Sequence, residues 1–347
     1  MSDTKPDVVH QGYVNGTAKP SFLSRVGAHF KKWWWVHVII LIICVLVVVL
    51  PLVYVGYPRI AQNDVNDSTL NVTQLVFSDP APNTIHVNQT QVLGNKAIYH
   101  PKIFAFNASL GLAGAAAPVA YVMVPQIQAE DGAIINVDTT LQLYNLDATT
   151  EFTKAVLTSE TFYLNIYGKP ELKEMVLPTS QVTFNKTVPM KGLNGLKGFS
   201  LSDVRISLTA SADGTNMNGT ANIPNPGVVS VAMGNVTLPI FVNGAQIGTS
   251  YINDLVLVPG SNTYHVKSII DQVQVIDLVL GSKAKYPSGV IPLDIIGNHS
   301  EYNGQEITYY SEALKSNTMS TTLNVTQVLD DSGLSAVASA LASSGSS

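Results

Sequence analysis

The sequence predicts a mainly β protein in which one amino-terminal transmembrane helix precedes two tandem β-sandwich units, each with a short helix. Three observations carry this. Charged residues are only 12% of the 347-residue chain, about half the usual share, while Val, Ile, Thr, Ser and Asn abound, a strand-and-turn composition. One early segment is long and uncharged. The rest of the chain aligns with itself at a nearly constant offset.

The uncharged segment comes first. Residues 33–55, WWWVHVIILIICVLVVVLPLVYV, run for 23 residues without a formal charge. At ~1.5 Å per residue they reach roughly 35 Å, enough to cross a hydrocarbon core of about 30 Å. Trp33, Trp34 and Trp35 at one end, with Tyr54 and Tyr57 at the other, sit where aromatic belts form. A cleaved signal peptide fits poorly, because 32 residues precede the run, the run is too long, and no small-x-small site follows it. The segment reads as a signal anchor. Lys19, Arg25, Lys31 and Lys32 precede it, whereas Arg59, Asp64 and Asp67 follow. Positive charge stays inside, so residues 1–32 are a basic cytosolic tail and residues 56–347 lie outside the cytosol, a type II topology.

Glycosylation sequons test that orientation independently. Asn66, Asn71, Asn88, Asn107, Asn185, Asn218, Asn235, Asn298 and Asn324 begin N-x-S/T triplets downstream of the span. Roughly four would arise by chance, so the excess supports a lumenal or extracellular glycoprotein. The only cysteine is Cys44, inside the span. Intramolecular disulfides, thiol catalysis and cysteine-ligated zinc are thereby excluded, and domains of ~130 residues can do without such staples.

After a linker at 56–65 the strand pattern begins. Apolar or β-branched residues alternate in Ile135–Leu143, in Phe162–Ile166 and in Val204–Ala210, as half-buried strands require. Asn194-Gly195, Asp213-Gly214, Pro259-Gly260 and Asn303-Gly304 punctuate them as turns. NASL at 107–110 matches NVTL at 235–238, NVDTTLQL at 136–143 matches NTYHVKSI at 262–269, and LNIYG at 164–168 matches LDIIG at 293–297. Asp147 with the run EFTKAVL likewise meets Asp271 with QVIDLVL, and the four matches keep one order with offsets drifting by only a few residues, which predicts two copies of one unit, at 66–190 and 191–328. Each copy holds a short helix with an N-capping aspartate, Asp147 or Asp271. A sheet needs its apolar face covered, and a second sheet is the simplest cover. Residues 234–266 then read as two or three sandwich strands, with bends at Gly234, Gly244 and Gly248.

The runs GLNGLKGFSLSDVRI (192–206) and ANIPNPGVVSVAMGNVTLPIFVNGAQIGTSYINDLVLVPGSNTY (221–264) resemble the fungal membrane-anchored family of domain of unknown function 3712. Asn225-Pro226, Gly248 and Pro259-Gly260-x-Asn262 are also similar to the fibronectin-like sandwich of late-embryogenesis-abundant type 2 proteins. The resemblance covers most of residues 60–325 and is strongest in the second copy. In the first copy Asp79-Pro80 stands for Asn-Pro and Asp131-Gly132 for Pro-Gly. It implies the architecture and a vacuolar-type membrane, and it supplies no catalytic residues. A pre-rRNA-processing label attached to some relatives conflicts with the membrane span and the acidic balance.

Little else in the chain points to chemistry. His86, His100, His265 and His299 show no metal-ligand spacing. Ser200 lacks the flanking glycines of a nucleophile elbow, and no phosphate-binding loop is present. Glu130-Asp131 and Asp330-Asp331 fall in expected turns. The small apolar run Ala113–Pro118 reads as a close strand contact. Residues 329–347 read as a short helix, with Leu334, Val337, Ala338 and Leu341 on one face, followed by disorder.

A formal net charge of −5, with no basic cluster after residue 32, argues against a nucleic-acid partner. The expected function is that of a non-catalytic module that binds a partner or shields a surface at a vacuole-type membrane or the cell surface. The bilayer is one partner, through the helix, and an unknown lumenal protein or lipid is another; no cofactor or metal is expected. Lipid handling is the alternative, and a continuous apolar cavity between the sheets would favour it. A cell-wall or glycan-acting enzyme would need two carboxylates converging about 5–9.5 Å apart.

Overall fold

The computed structural model describes residues 22–279, 284–337 and 339. The expected cytosolic tail up to residue 21, and Ala338 and Leu341 of the expected terminal helix face, lie outside the described residues. The chain divides into two compact units, Met1–Tyr57 and Pro58–Ser347.

In the first unit, α1 (Phe22–Pro51) continues into one π-helical turn, Leu52–Gly56. Pro51 has no amide hydrogen to donate, and the ladder widens just after it. Leu41 is 64% exposed and Val48 65%. An apolar helix with no protein around it is suited to hydrocarbon. Among the described residues it is the one helix long and apolar enough to cross a membrane.

The second unit opens in α2 (Tyr57–Asp67), so the expected linker at 56–65 is mostly helix. The reason is a short apolar stripe. Ala61 and Val65 lie four residues apart on one face, and both are buried. Gln62 clamps the helix to the sandwich, accepting from the Thr183 amide at 2.7 Å and donating to its carbonyl at 2.9 Å. Lys186 donates to the carbonyls of Asn66, at 3.0 Å, and of Ser68.

Strands dominate the remainder. The first half holds β1 (Thr69–Ala81), β2 (Thr84–Gly94), β3 (Lys102–Ile103), β4 (Phe106–Leu112), β5 (Ala120–Val124), β6 (Ile127–Gln128) and β7 (Ala133–Gln142). Helix α3 (Leu146–Thr158) follows, then β8 (Thr161–Gly168), β9 (Glu171–Lys173), β10 (Ser180–Gln181) and β11 (Phe184–Lys191). The second half holds β12 (Ser200–Ile206), β13 (Met217–Asn225), β14 (Val229–Val242), β15 (Ala245–Leu257), β16 (Gly260–Ile270) and α4 (Gln272–Val279). It ends with β17 (Val290–Ile296), β18 (His299–Tyr302), β19 (Gln305–Glu306), α5 (Thr308–Lys315), β20 (Thr318–Asn324) and α6 (Val325–Asp331).

The two halves repeat one pairing scheme. In the first, β1-β2-β7 form one layer and β11-β8-β4-β5 the other. In the second, β12-β13-β16 form one layer and β15, β14, β17 and β20 pair in turn to form the other. Each half is therefore a sandwich whose layers meet over alternating inward side chains. With Asn107 matched to Asn235, Leu112 falls on Ile240. Leu112 pairs with Leu164, whereas Ile240 pairs with Ile295. The hydrogen-bond register thus matches Leu164 with Ile295, two residues beyond the expected Leu293. A two-residue slip keeps the same face inward, and all three side chains are buried.

The halves are joined in one sheet. The first residues of β14 pair in parallel with β1, Leu75 opposite Val229 and Phe77 opposite Val231. In the second half β15 also pairs with β16, Gly248 opposite Ile270. A Cβ on Gly248 would lie 2.5 Å from the Ile269 carbonyl oxygen, so only glycine lets the strands approach there. The result is a 12-stranded sheet crossing residues 190 and 191, with two four-stranded sheets in the first half.

Three local expectations are corrected. Asn145, not Asp147, caps α3, accepting from the Ala148 amide at 2.9 Å, and Asp147 lies in the first turn. Asp271 does cap α4, accepting from the Gln274 amide at 3.1 Å. The strand expected over Val204–Ala210 stops at Ile206, which is half-buried, and Leu208 is 66% exposed. Asp330 and Asp331 lie at the end of α6 instead of in a turn.

Candidate functional site

Each sandwich holds an apolar cavity beneath the helix that follows the third strand of its first layer. In the first half the cavity measures about 60 Å³ and lies between Val87 on β2, Leu141 on β7, Leu110 on β4 and Leu164 on β8, with Phe152 of α3 above. In the second it measures about 120 Å³ and lies between Met217, Ile270, Ile240 and Leu293, with Ile276 of α4 above. Among the described residues no carboxylate, histidine or basic side chain lines either one.

The first cavity has a polar edge that the sequence did not signal. Tyr309 and Tyr310, from α5 of the second half, close it beside Val231 and Met233. Their rings meet edge to face at 4.7 Å. The Tyr309 hydroxyl donates to the Ala81 carbonyl at 3.3 Å, while the Tyr310 hydroxyl is buried without a partner. Burial pushes both phenols above their ordinary range, so both stay neutral.

The four histidines singled out in the sequence are dispersed, and three of them make local contacts. His86 on β2 meets Asp138 on β7 at 2.9 Å, and His100 meets the Ala129 carbonyl at 3.2 Å. His299 sits 3.8 Å from Glu301 and 3.4 Å from Glu306, and His265 is exposed on β16. Among the described residues no three His, Cys, Asp or Glu groups are placed to hold a metal ion. Asp131 of the Glu130-Asp131 pair accepts from the Asn95 amide at 3.0 Å. The Ala113–Pro118 run forms the β4–β5 connection and brings the Pro118 Cα to 3.4 Å from where a Cβ on Gly111 would stand.

Eight of the nine sequon asparagines are exposed, on strands or at element ends; Asn88 is half-buried and donates to Asp138 at 3.2 Å. Asn66, Asn185, Asn235 and Asn324 use their carbonyl oxygens as acceptors, from Gln62, Asn165, the Asp254 amide and the Gln327 amide respectively. That leaves the amide nitrogen, the atom a glycan takes, pointing to a separate use.

Fold and surface together define a class: a β-sandwich protein with a single amino-terminal helix able to span a membrane. Residues 117–240, less than half of the chain, match the family described as protein of unknown function, DUF3712. That segment runs from the start of β5 to near the end of β14, across the join between the halves. No curated protein matches the chain. Among solved structures, an adhesin of Mobiluncus mulieris with intramolecular disulfide, isopeptide and ester cross-links is 9% identical, over 66% of this chain and 80% of that one, with a TM-score of 0.20. The exo-chitosanase CsxA of Amycolatopsis orientalis is 15% identical over 72% of this chain, which spans only 26% of the chitosanase, with a TM-score of 0.19. The CupB6 tip adhesin of Pseudomonas aeruginosa is 7% identical over 67% and 93%, with a TM-score of 0.18. Likenesses this distant carry no functional argument.

Proposed function

We propose that this is a type II single-pass membrane protein whose β-rich unit stands outside the cytosol as a non-catalytic binding or structural module. Its place is a fungal vacuole-type membrane or the cell surface, in keeping with the family resemblance. The observation that carries the reading is an asymmetry along the chain. A bare apolar helix follows a basic tail, and the folded unit beyond it bears nine sequons, eight of them on exposed asparagines. Apolar cavities lined without ionisable catalytic groups, and His86, His100 and His299 each held in local contacts, support a module without chemistry.

The lipid-handling alternative gains little. The larger cavity, about 120 Å³, is smaller than the ~150 Å³ that holds one benzene, and the two cavities share no lining residue. Alkaline extraction and protease protection test the proposal. The protein should stay with membranes at high pH, and in sealed vesicles the folded unit should resist added protease. Release into the supernatant, or digestion of the folded unit in intact vesicles, would overturn it.

A further inference from the structure

The small sheet β10-β9-β3-β6 extends the first sandwich at one end and carries the most exposed apolar side chains of the folded unit. In it β3 and β9 run antiparallel, with Lys102 opposite Lys173. The segments 95–101 and 174–179 therefore leave the sheet at the same edge. Each bears an apolar pair: Ile98 is 89% exposed and Tyr99 58%, Met175 is 83% exposed and Val176 97%. Loop tips are ordinarily small and polar, and apolar side chains gathered at one point mark a contact surface. Met175 also holds a positive φ of 41°, a costly backbone conformation for a residue other than glycine.

How far these tips stand along the chain from the apolar unit is bounded by α2. Behind them Pro101, Pro170 and Leu172 pack with Ala61, Asp64 and Val65 of α2. That helix has 11 residues, so it spans about 16 Å, and Pro58 at its start directly follows the apolar unit. The α2 residues that pack behind the tips are thus separated from the apolar unit by no more than the length of this helix. Lys96, Lys102, Lys169 and Lys173 are balanced by Glu130, Asp131, Glu171 and Glu174 in the same region, so apolar insertion, not net charge, is the available attraction. Tyrosine, with an apolar body and a wet end, suits the interface.

We propose that the Ile98-Tyr99 and Met175-Val176 tips insert into the interfacial layer of the bilayer, a second attachment that holds the folded unit against the lipid surface. The inference rests on the membrane anchoring proposed above. It is tested with the full chain carrying Cys44→Ser and a single new cysteine at Ile98, Val176 or Gln305, labelled with an environment-sensitive fluorophore and reconstituted in neutral phosphatidylcholine vesicles. Gln305 is the control. It opens β19 opposite Tyr302 of β18, which bonds Asp79 at the far end of β1, roughly 33 Å from Thr69.

Labels at 98 and 176 should emit at shorter wavelength and lose at least half their intensity to lipid-borne quenchers, while the label at 305 is unaffected. Equal, weak quenching at all three positions in protein that co-floats with vesicles overturns the insertion but leaves the anchoring intact. Failure to co-float overturns the anchoring itself. Labels at 98 and 176 that are shielded from water yet unquenched by lipid also overturn the inference, in favour of a protein occupant.

Discussion

Val76 on β1 lies opposite Ser230 on β14 in parallel register, and this pairing joins the two halves of the folded unit in one sheet. Each half alone would leave an edge strand open there, a row of unpaired backbone groups. The first half would also lose Val231, Met233, Tyr309 and Tyr310 from the wall of its cavity.

The folded unit should therefore unfold as one. Denaturant titrations followed by tyrosine fluorescence and by far-ultraviolet circular dichroism should give one coincident transition. Two separated transitions would mean that the halves are independent domains.

Gly234 tests the same region more locally. Its φ is +70°, and a Cβ there would lie 2.2 Å from the Glu301 carbonyl oxygen. Gly234→Ala should cost about 2–4 kcal/mol, since backbone strain and a rigid clash combine. A change below ~0.5 kcal/mol in the urea midpoint would show that β14 and β18 can separate there.

The adjacent tyrosines should respond in opposite directions. Tyr309→Phe removes a hydrogen bond to Ala81 and should cost about 0.5–1.5 kcal/mol. Tyr310→Phe removes a buried hydroxyl with no partner, and should be neutral or stabilising by about 1 kcal/mol. A marked loss in Tyr310→Phe would reveal a bound group in the first cavity.

Asp213 gives a pH signature. Its carboxylate accepts from the Thr215 hydroxyl at 2.6 Å and from Lys267 at 2.9 Å. The Thr215 hydrogen bond, then that of Lys267, holds it well below the usual carboxylate range. A carboxylate depressed by folding stabilises the native state above its unfolded value of about 3.9, and this is lost as pH falls through the folded value. Asp213→Asn should flatten the decline in stability below about pH 4, read from urea midpoints at pH 5 and pH 3. An unchanged slope would show that the turn is solvated in solution.

How much of this was legible in the sequence follows from the range of each interaction. The membrane helix depends on a single run of side chains, and strand alternation is local, so both could be read directly. The repeated pairing scheme left only short marks, such as LNIYG at 164–168 against LDIIG at 293–297, because strand alternation persists where turn residues change, as from Asp131-Gly132 to Pro259-Gly260. The docking of α2 was hidden, because Ala61 and Val65 make a stripe too short to stand out among polar neighbours. The capping of α3 was misplaced by two residues because Asn145 and Asp147 are equally capable caps. The join of Val76 to Ser230 leaves no local mark at all, and neither does the closure of a first-half cavity by Tyr309 and Tyr310.

The most direct measurement of the central claim is endoglycosidase digestion of the full-length protein from its native membranes, with occupied sites mapped by mass spectrometry. Faster migration after digestion, with glycans on exposed sites such as Asn107, Asn185, Asn218 and Asn235, is the predicted result. Unchanged migration with all nine asparagines unmodified would contradict the extracytosolic placement of the β-rich unit.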